Sequence, residues 1–368
     1  SLIRRNPDHT LTIHRLVQAV IKQGMQKTMQ RRWAERAVKA VSYAFPEVEY
    51  ANWPSCQQYV PHVLVCASLI GTWEMTFPEA TELLMQAAWY LHLHADYAQA
   101  EPLYQRALDI RERVLSSDHP DTAASLDHLA GLYRVMGQYE KAEPLFQRAL
   151  DIKERVRGPD HLSIEITLNN LALLYKQMGQ YEKAEPLFQR ALDINDRMRD
   201  PDHPETAVTL DNLASLYKQK GQYEKAEPLF QRALDIKERV LGPDHPNTGT
   251  TLNNLAELYR VMEQYEKAEP LYQRDLDICE RVLGPDHPDT ATGLNNLALL
   301  YQATGQYEKA EPLFQRALDI NDRMLGSDHP YTAIALNNLA LLYRETGQYK
   351  KAEPLFQRAE RIRNNSKK

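Results

Sequence analysis

From about Glu79 onward, apolar and polar positions fall into one pattern that recurs to the end of the chain. In a representative unit Leu168, Leu171, Ala172 and Tyr175 stand at i, i+3, i+4 and i+7, one face of an amphipathic helix. Gly179 breaks that run, and Ala184, Leu187, Phe188, Ala191, Ile194 and Met198 mark the buried face of a second helix. After a Pro159-Asp160-His161 turn, the spacing predicts helix A from about Ser163 to Met178 and helix B from about Tyr181 to Met198. Ala172, Ala184 and Ala191 are small where helices must cross closely, so a larger residue there should cost ~1–3 kcal/mol by overpacking. Pro186 is expected near the first turn of helix B, where a missing N–H is tolerated. The tyrosine that opens helix B returns at Tyr97, Tyr139, Tyr181, Tyr223, Tyr265, Tyr307 and Tyr349, each 42 residues after the last. A fixed period of this size marks a stack of units, each too small to bury its apolar face alone. Seven helix pairs are expected. The first, near Glu79–Leu115, is degenerate but keeps Leu84, Ala87, Ala88, Leu91, Tyr97, Ala100, Tyr104 and Ala107.

The first residues read differently. Ser1–Arg5 and Thr10–Ile13 are short and strand-like around an Asn6-Pro7-Asp8-His9 turn, giving a hairpin that feeds a helix from about His14 to Met25. Two further helices are expected. One, Gln30–Phe45, carries Trp33, Ala37, Val38 and Val41; the other, N-capped by Ser55 and running to about Ile70, carries Tyr59, Val63, Val65 and Leu69. The predicted division is 1–27, 28–75 and 76–365.

Composition changes this picture little. A net charge of −6 gives no bulk basicity for nucleic acid or an acidic membrane, and no apolar run approaches the ~18 residues of a membrane span. Cys56, Cys66 and Cys279 lack metal-ligand spacing, which fits a reducing, cytoplasmic setting. The chain starts at Ser1 inside a patterned segment and is read as a piece of a longer protein.

Leu171-Ala172, Tyr175, Gly179, Tyr181, Ala184, Phe188 and Ala191 resemble, in order, the signature of the tetratricopeptide repeat. The 42-residue period, against the usual ~34, is similar to that of kinesin light chains. The resemblance covers most of the chain and implies an all-α fold, a right-handed superhelical solenoid. At the other end, Ile13-His14-Arg15-Leu16-Val17-Gln18-Ala19-Val20 resembles the end of the winged-helix domain in STAND-type NTPases, the NB-ARC and NOD-like receptor group, with Arg15 where that family has aspartate. By that resemblance residues 1–27 close a winged helix and 28–75 form the helical linker to a sensor. His14 would approach the β-phosphate of ADP in a full-length protein that uses ADP or ATP with Mg. Two simpler readings stay open: His14 as a hairpin cap, and 28–75 as a cap on the first repeat.

In a curved stack of helix pairs the A helices line the concave side. About 100° from the buried face of helix A lie Asn169, Leu173 and Lys176, with Asn170 beside them. Across repeats the first row reads Asp127, Asn169, Asp211, Asn253, Asn295 and Asn337, and the second His128, Asn170, Asn212, Asn254, Asn296 and Asn338. A third reads Arg134, Lys176, Lys218, Arg260, Gln302 and Arg344. Amides offer donor and acceptor to an extended backbone, the use that the kinesin light chain resemblance implies. At ~10 Å between A helices and ~3.3 Å per extended residue, each repeat would read about three residues. The cations favour an acidic segment or a terminal carboxylate. Either amide row could instead bond the neighbouring repeat, the second more readily than the first. The variable positions Gly131, Leu173, Ser215, Glu257, Leu299 and Leu341 would set selectivity.

His119, His161, His203, His245, His287 and His329 recur once per turn, too far apart to converge on one metal ion, and are read as turn residues. No phosphate loop, nucleophile elbow or H-E-x-x-H is present, so no catalytic residue, metal or cofactor is assigned to this chain. Two functions follow. One is the peptide-binding sensor of a STAND-type signalling ATPase of the innate-immunity kind, oligomerising on activation. The other is a passive scaffold or cargo adaptor. Neither needs nucleic acid or membrane.

Overall fold

The computed structural model describes residues 3–5, 11–13, 23–49, 52–199 and 202–365. Strands β1 (Ile3–Arg5) and β2 (Leu11–Ile13) pair antiparallel, with Ile3 opposite Ile13, as the turn-flanked apolar runs predict. His14 and most of the helix expected from it lie outside the described residues.

Helices α1 (Lys27–Ala44) and α2 (Trp53–Thr72) pack on each other and on α3 (Pro78–Leu93), the first helix of the repeat series. Their buried faces differ from the expected ones. α1 buries Ala34 and Val38, and α2 buries Cys56, Val63, Cys66 and Ile70, whereas Trp33 is 52% and Val65 61% exposed. A small Ala34 with Val38 one turn on lets α1 approach its neighbours closely, which a tryptophan in the seam would prevent. α2 also starts before Ser55, with Asn52 at its N-cap and Pro54 in its first turn.

Among the described residues the remaining helices alternate along the chain as A and B members of seven repeats. In chain order they are α3 and α4 (Tyr97–Leu115), α5 (Pro120–Val135) and α6 (Tyr139–Arg157), and α7 (Leu162–Gln177) and α8 (Tyr181–Met198). There follow α9 (Pro204–Gln219) with α10 (Tyr223–Val240), and α11 (Pro246–Val261) with α12 (Tyr265–Ile278) and its π-turn Cys279–Leu283. Last come α13 (Pro288–Ala303) with α14 (Tyr307–Met324), and α15 (Pro330–Glu345) with α16 (Tyr349–Asn365). The chain forms two compact units, Ser1–Leu174 (unit 1) and Tyr175–Lys368 (unit 2).

Unit 2 shows how one pair completes the next. Ala207 and Leu210 of α9 meet Ala233 and Ile236 of α10, and Leu192 from the preceding α8 closes the cluster. The same arrangement recurs with Leu276 against α13 and α14, and with Leu318 against α15 and α16. The core thus runs between repeats. Two expectations are corrected here. Met198 is 54% exposed, because helix B outruns the length its neighbours cover. Pro186 is the sixth residue of α8, beyond the first turn. It is tolerated there because Pro186 and Glu182, whose carbonyl it leaves without a donor, both face solvent.

The turns are held by specific polar contacts. Each of the six recurrent histidines N-caps helix A, its Nδ1 accepting the N–H two residues on at 3.0–3.2 Å. Thr248, Thr290 and Thr332 donate back to Gly242, Gly284 and Gly326 carbonyls at 2.8–2.9 Å, tying the turn to the helix it starts. The A-to-B turn needs a left-handed residue. Gly221 takes φ +71° there, and the equivalent Glu263 is held at φ +59°. A side chain in that region costs about 1–2 kcal/mol, partly offset by the flexibility glycine adds to the unfolded chain. Glu263→Gly is therefore expected to stabilise the fold by about 0.5–1 kcal/mol, measured as a raised denaturation midpoint.

Candidate ligand-binding wall

Within unit 2 the A helices of successive repeats touch directly, α9 with α11, α11 with α13 and α13 with α15, which places them on the inner side of the stack. The three predicted rows lie on these helices, but they are not equivalent.

The first row is largely spent on holding helices together. Asp211 is buried and receives Lys237 of α10 at 2.6 Å and the Thr251 hydroxyl of α11 at 2.7 Å. Lys237 also donates to Thr251 at 2.8 Å and to the Asn247 carbonyl at 3.2 Å, so its ammonium fills a slot among three helices. Unit 1 repeats the device with Lys153, Asp127 and Thr167. Asn169 is buried and donates to Glu165. Asn337 accepts from Arg363 at 2.9 Å. Asn253 and Asn295 accept from Asn296 and Asn338 of the next repeat, both at 2.8 Å. The sequence could have signalled this, because an acidic residue in the first row coincides with a lysine 26 positions on in Asp127–Lys153 and Asp211–Lys237.

The second row divides. Asn296 and Asn338 make those repeat-to-repeat bonds, while the side chains of Asn170, Asn212 and Asn254 are half-buried and have no hydrogen bond among the described residues. In unit 1 the row starts with His128, which stacks on Tyr104 at 5.8 Å and meets the edge of Trp89 at 5.8 Å. Nothing in the 42-residue pattern indicates this aromatic contact, since Trp89 and Tyr104 belong to the degenerate first repeat.

The cation row is also divided. Lys176 donates to Ser215 at 2.7 Å, and neither it nor Lys218 has an ion pair among the described residues. Burial, then the Lys218 charge, pushes Lys176 down to about 8. Lys218 is lowered as well, chiefly by burial and then by Arg260, with Glu257 acting the other way. Arg260 is different: it binds Glu257 through two bonds of 2.8 Å, and Tyr272 donates to the same carboxylate at 2.8 Å. The cation assigned to a ligand and the residue assigned to selectivity thus satisfy each other. Gln302 bonds Glu345 at 2.8 Å, and exposed Arg344 lies over Phe356 at 5.7 Å. Leu173 is half-buried on the wall of unit 1. Among the described residues, no group of three or more His, Cys, Asp or Glu could hold a metal ion, and no helix is long and apolar enough to cross a membrane.

Removing one member of the buried pair leaves the other charge without compensation. Lys237→Met should lower stability by about 3–5 kcal/mol. Lys237→Asn with Asp211→Asn, the residues carried at 321 and 295, should recover most of it; denaturant midpoints of the three proteins check this.

Comparison with known proteins fits the geometry. The family model described as tetratricopeptide repeat matches residues 80–155, 124–197, 163–239, 205–274, 249–323 and 291–365. A nucleotide-binding leucine-rich repeat (NLR)-like protein of Hyaloscypha variabilis is 38% identical over 127 residues, 32% of this chain and 12% of that protein, so this chain spans a small part of that relative. Among solved structures, a single-residue variant of a Podosopora anserina chain, described as a putative kinesin light chain with nearly identical TPR-like repeats, is 26% identical with a TM-score of 0.50; the match covers 56% of this chain and 98% of that one. A STAND protein with a tetratricopeptide repeat sensor, PH0952 from Pyrococcus horikoshii, shares the fold at 15% identity and a TM-score of 0.56, covering 99% of this chain and 57% of that one. The repeat signature, the seven helix pairs and the family match agree, and the chain belongs to the tetratricopeptide repeat family.

Proposed function

We propose that unit 2 binds an extended, acidic peptide segment along its A helices, and that this chain is the sensor region of a STAND-type signalling ATPase. The observation that carries the peptide reading is found on the A helices of this unit: among the described residues the Asn212 and Asn254 side chains have no hydrogen bond, and Lys176, bonded to Ser215 alone, and Lys218 have no ion pair. Two desolvated lysines that repel each other gain most from an incoming carboxylate, which relieves both penalties. Free amides on successive helices suit a peptide backbone, which offers donor and acceptor alternately.

The sensor reading is supported by the match to the NLR-like protein and by the sequence resemblance around His14. In that reading the full-length protein holds ADP or ATP with Mg, His14 meets the β-phosphate, and ligand binding to the repeats releases the off state and allows oligomerisation. Such control is a coupling free energy between two sites. A passive cargo adaptor is the second reading, favoured by the likeness to the Podosopora anserina chain. The two separate in the full-length protein, because only a sensor changes its ATP turnover and oligomer size when the repeats are occupied.

Lys176 is charged below its pKa of about 8 and neutral above it. Affinity for a fluorescein-labelled Glu-rich peptide should therefore hold up to about pH 7.5 and fall as pH rises through 8. Lys176→Gln should weaken binding about 5–10-fold at pH 7, roughly 1–1.4 kcal/mol, and remove that pH dependence; anisotropy titrations at pH 7 and 9 measure both. A Gln-for-Glu peptide that binds equally well would refute the electrostatic part of the proposal.

A further inference from the structure

The lysine slot described above is filled in one repeat and vacated in the next. Moving 42 residues on from Lys237, Asp211, Thr251 and Asn247 gives Cys279, Asn253, Gly293 and Asp289. Ala233 becomes Asp275 and Ala207 becomes Gly249. The ammonium is gone, yet two carboxylates have arrived.

The structure shows what these changes build. A cavity of about 250 Å³ opens where the lysine would lie, lined by Asn247, Thr250, Asn253, Asp275, Cys279 and Asp289 among others. Asp275 is 5% exposed, and among the described residues its carboxylate has one hydrogen bond, a thiol contact from Cys279 to Oδ1 at 3.9 Å. Gly249 makes the space: a Cβ there would sit 2.7 Å from Oδ1, whereas one on Gly293 would meet Oδ2 at an ordinary contact distance of 3.5 Å. The chain leaves α-helical geometry at this point, in the π-turn Cys279–Leu283. A buried carboxylate with no cation is costly unless something arrives to pair with it.

We propose that this cavity takes a primary ammonium group, the side chain of a lysine on a bound peptide. Lys237 demonstrates the fit, since its own ammonium bonds a carboxylate, a hydroxyl and a carbonyl in the equivalent slot. A metal ion is disfavoured by the ligands themselves. Burial and the Asp275 charge push the Cys279 thiol up to about 12, so it stays protonated, and the acidic groups do not converge as a metal cluster. Burial, then the Asp289 charge, pushes Asp275 up to about 7, with the Cys279 thiol opposing. Ammonium binding therefore drives a proton off Asp275. Affinity should rise from pH 6 to 8 and fall only as the ligand amine deprotonates near 10. This site lies apart from Lys176 and Lys218 and does not depend on their role.

The test uses the intact chain with 13C-labelled aspartate carboxyls. Butylammonium chloride should shift the Asp275 resonance, lower its titration midpoint and raise the melting temperature, while n-butanol and tetramethylammonium should not. An acetylated Gly-Lys-Gly amide should bind at least tenfold more tightly than its norleucine counterpart. Asp275→Ala carries the alanine of the other repeats and Cys279→Lys the lysine of Lys153 and Lys237, so both should fold, and both should abolish the response. Cys279→Lys should also raise the melting temperature by supplying the ammonium internally. Undiminished butylammonium binding in either variant, or a response to Zn2+ or Mn2+ at lower concentration than to butylammonium, overturns the assignment.

Discussion

A single helix pair of this length cannot hide its apolar face, and each pair is finished only by the helix beside it. Leu192 reaching from α8 into the Ala207–Leu210–Ala233–Ile236 cluster is that dependence at one joint. Burial at ~25 cal/mol per Å² then accrues at the joints between pairs. Small residues at the crossings are consequently fixed, while the exposed positions of each helix are free to vary.

The same joint needs polar groups at its edge, where three helices meet and backbone and side-chain donors are withdrawn from water. Lys237 resolves this with three bonds, and Lys153 does so in unit 1 with two, to Asp127 and Thr167. Because a buried ion pair gains little over an apolar filling, the device can be exchanged without loss of fold. Asn321 stands at the corresponding place two repeats after Lys237, beside a cavity of about 200 Å³. Exchange at Cys279 has a different result, since the cation is gone while a buried acid, Asp275, stands where the preceding repeat has Ala233. A position that serves as an adhesive in one repeat is thus available as a receptor in another.

Charge along the inner wall of unit 2 is consequently uneven. Lys176 and Lys218 have their pKa lowered by burial and have no ion pair among the described residues, Arg260 is neutralised by Glu257, and Asp275 and Asp289 bring negative charge. A ligand carrying acidic residues and then a lysine would match this order, and one of the opposite order would meet like charge at both ends. Near-identical repeats would leave such a stack without a register, and the few departures from the repeat supply one.

Periodicity alone determined the helix pairs, their 42-residue spacing, their turns and most of their buried faces, because a period of 3.6 apolar positions leaves one way to bury them. It misplaced Trp33 and Met198, whose burial depends on how far a neighbour extends. The wall was legible as a set of rows, and which members are free was not. Asn253, Asn296 and Arg260 look identical in kind to Asn254 and Lys218 along the chain, yet among the described residues the first three side chains have a hydrogen-bond partner and the last two do not. Hydrogen-bond partners 43 residues apart, or an acid and a cation three apart on one helix, are settled by the distance between side chains after the helices have packed. The slot at Cys279 shows the same limit: the substitutions are visible in the sequence, but only the packed joint decides that they open a cavity with a carboxylate on its floor.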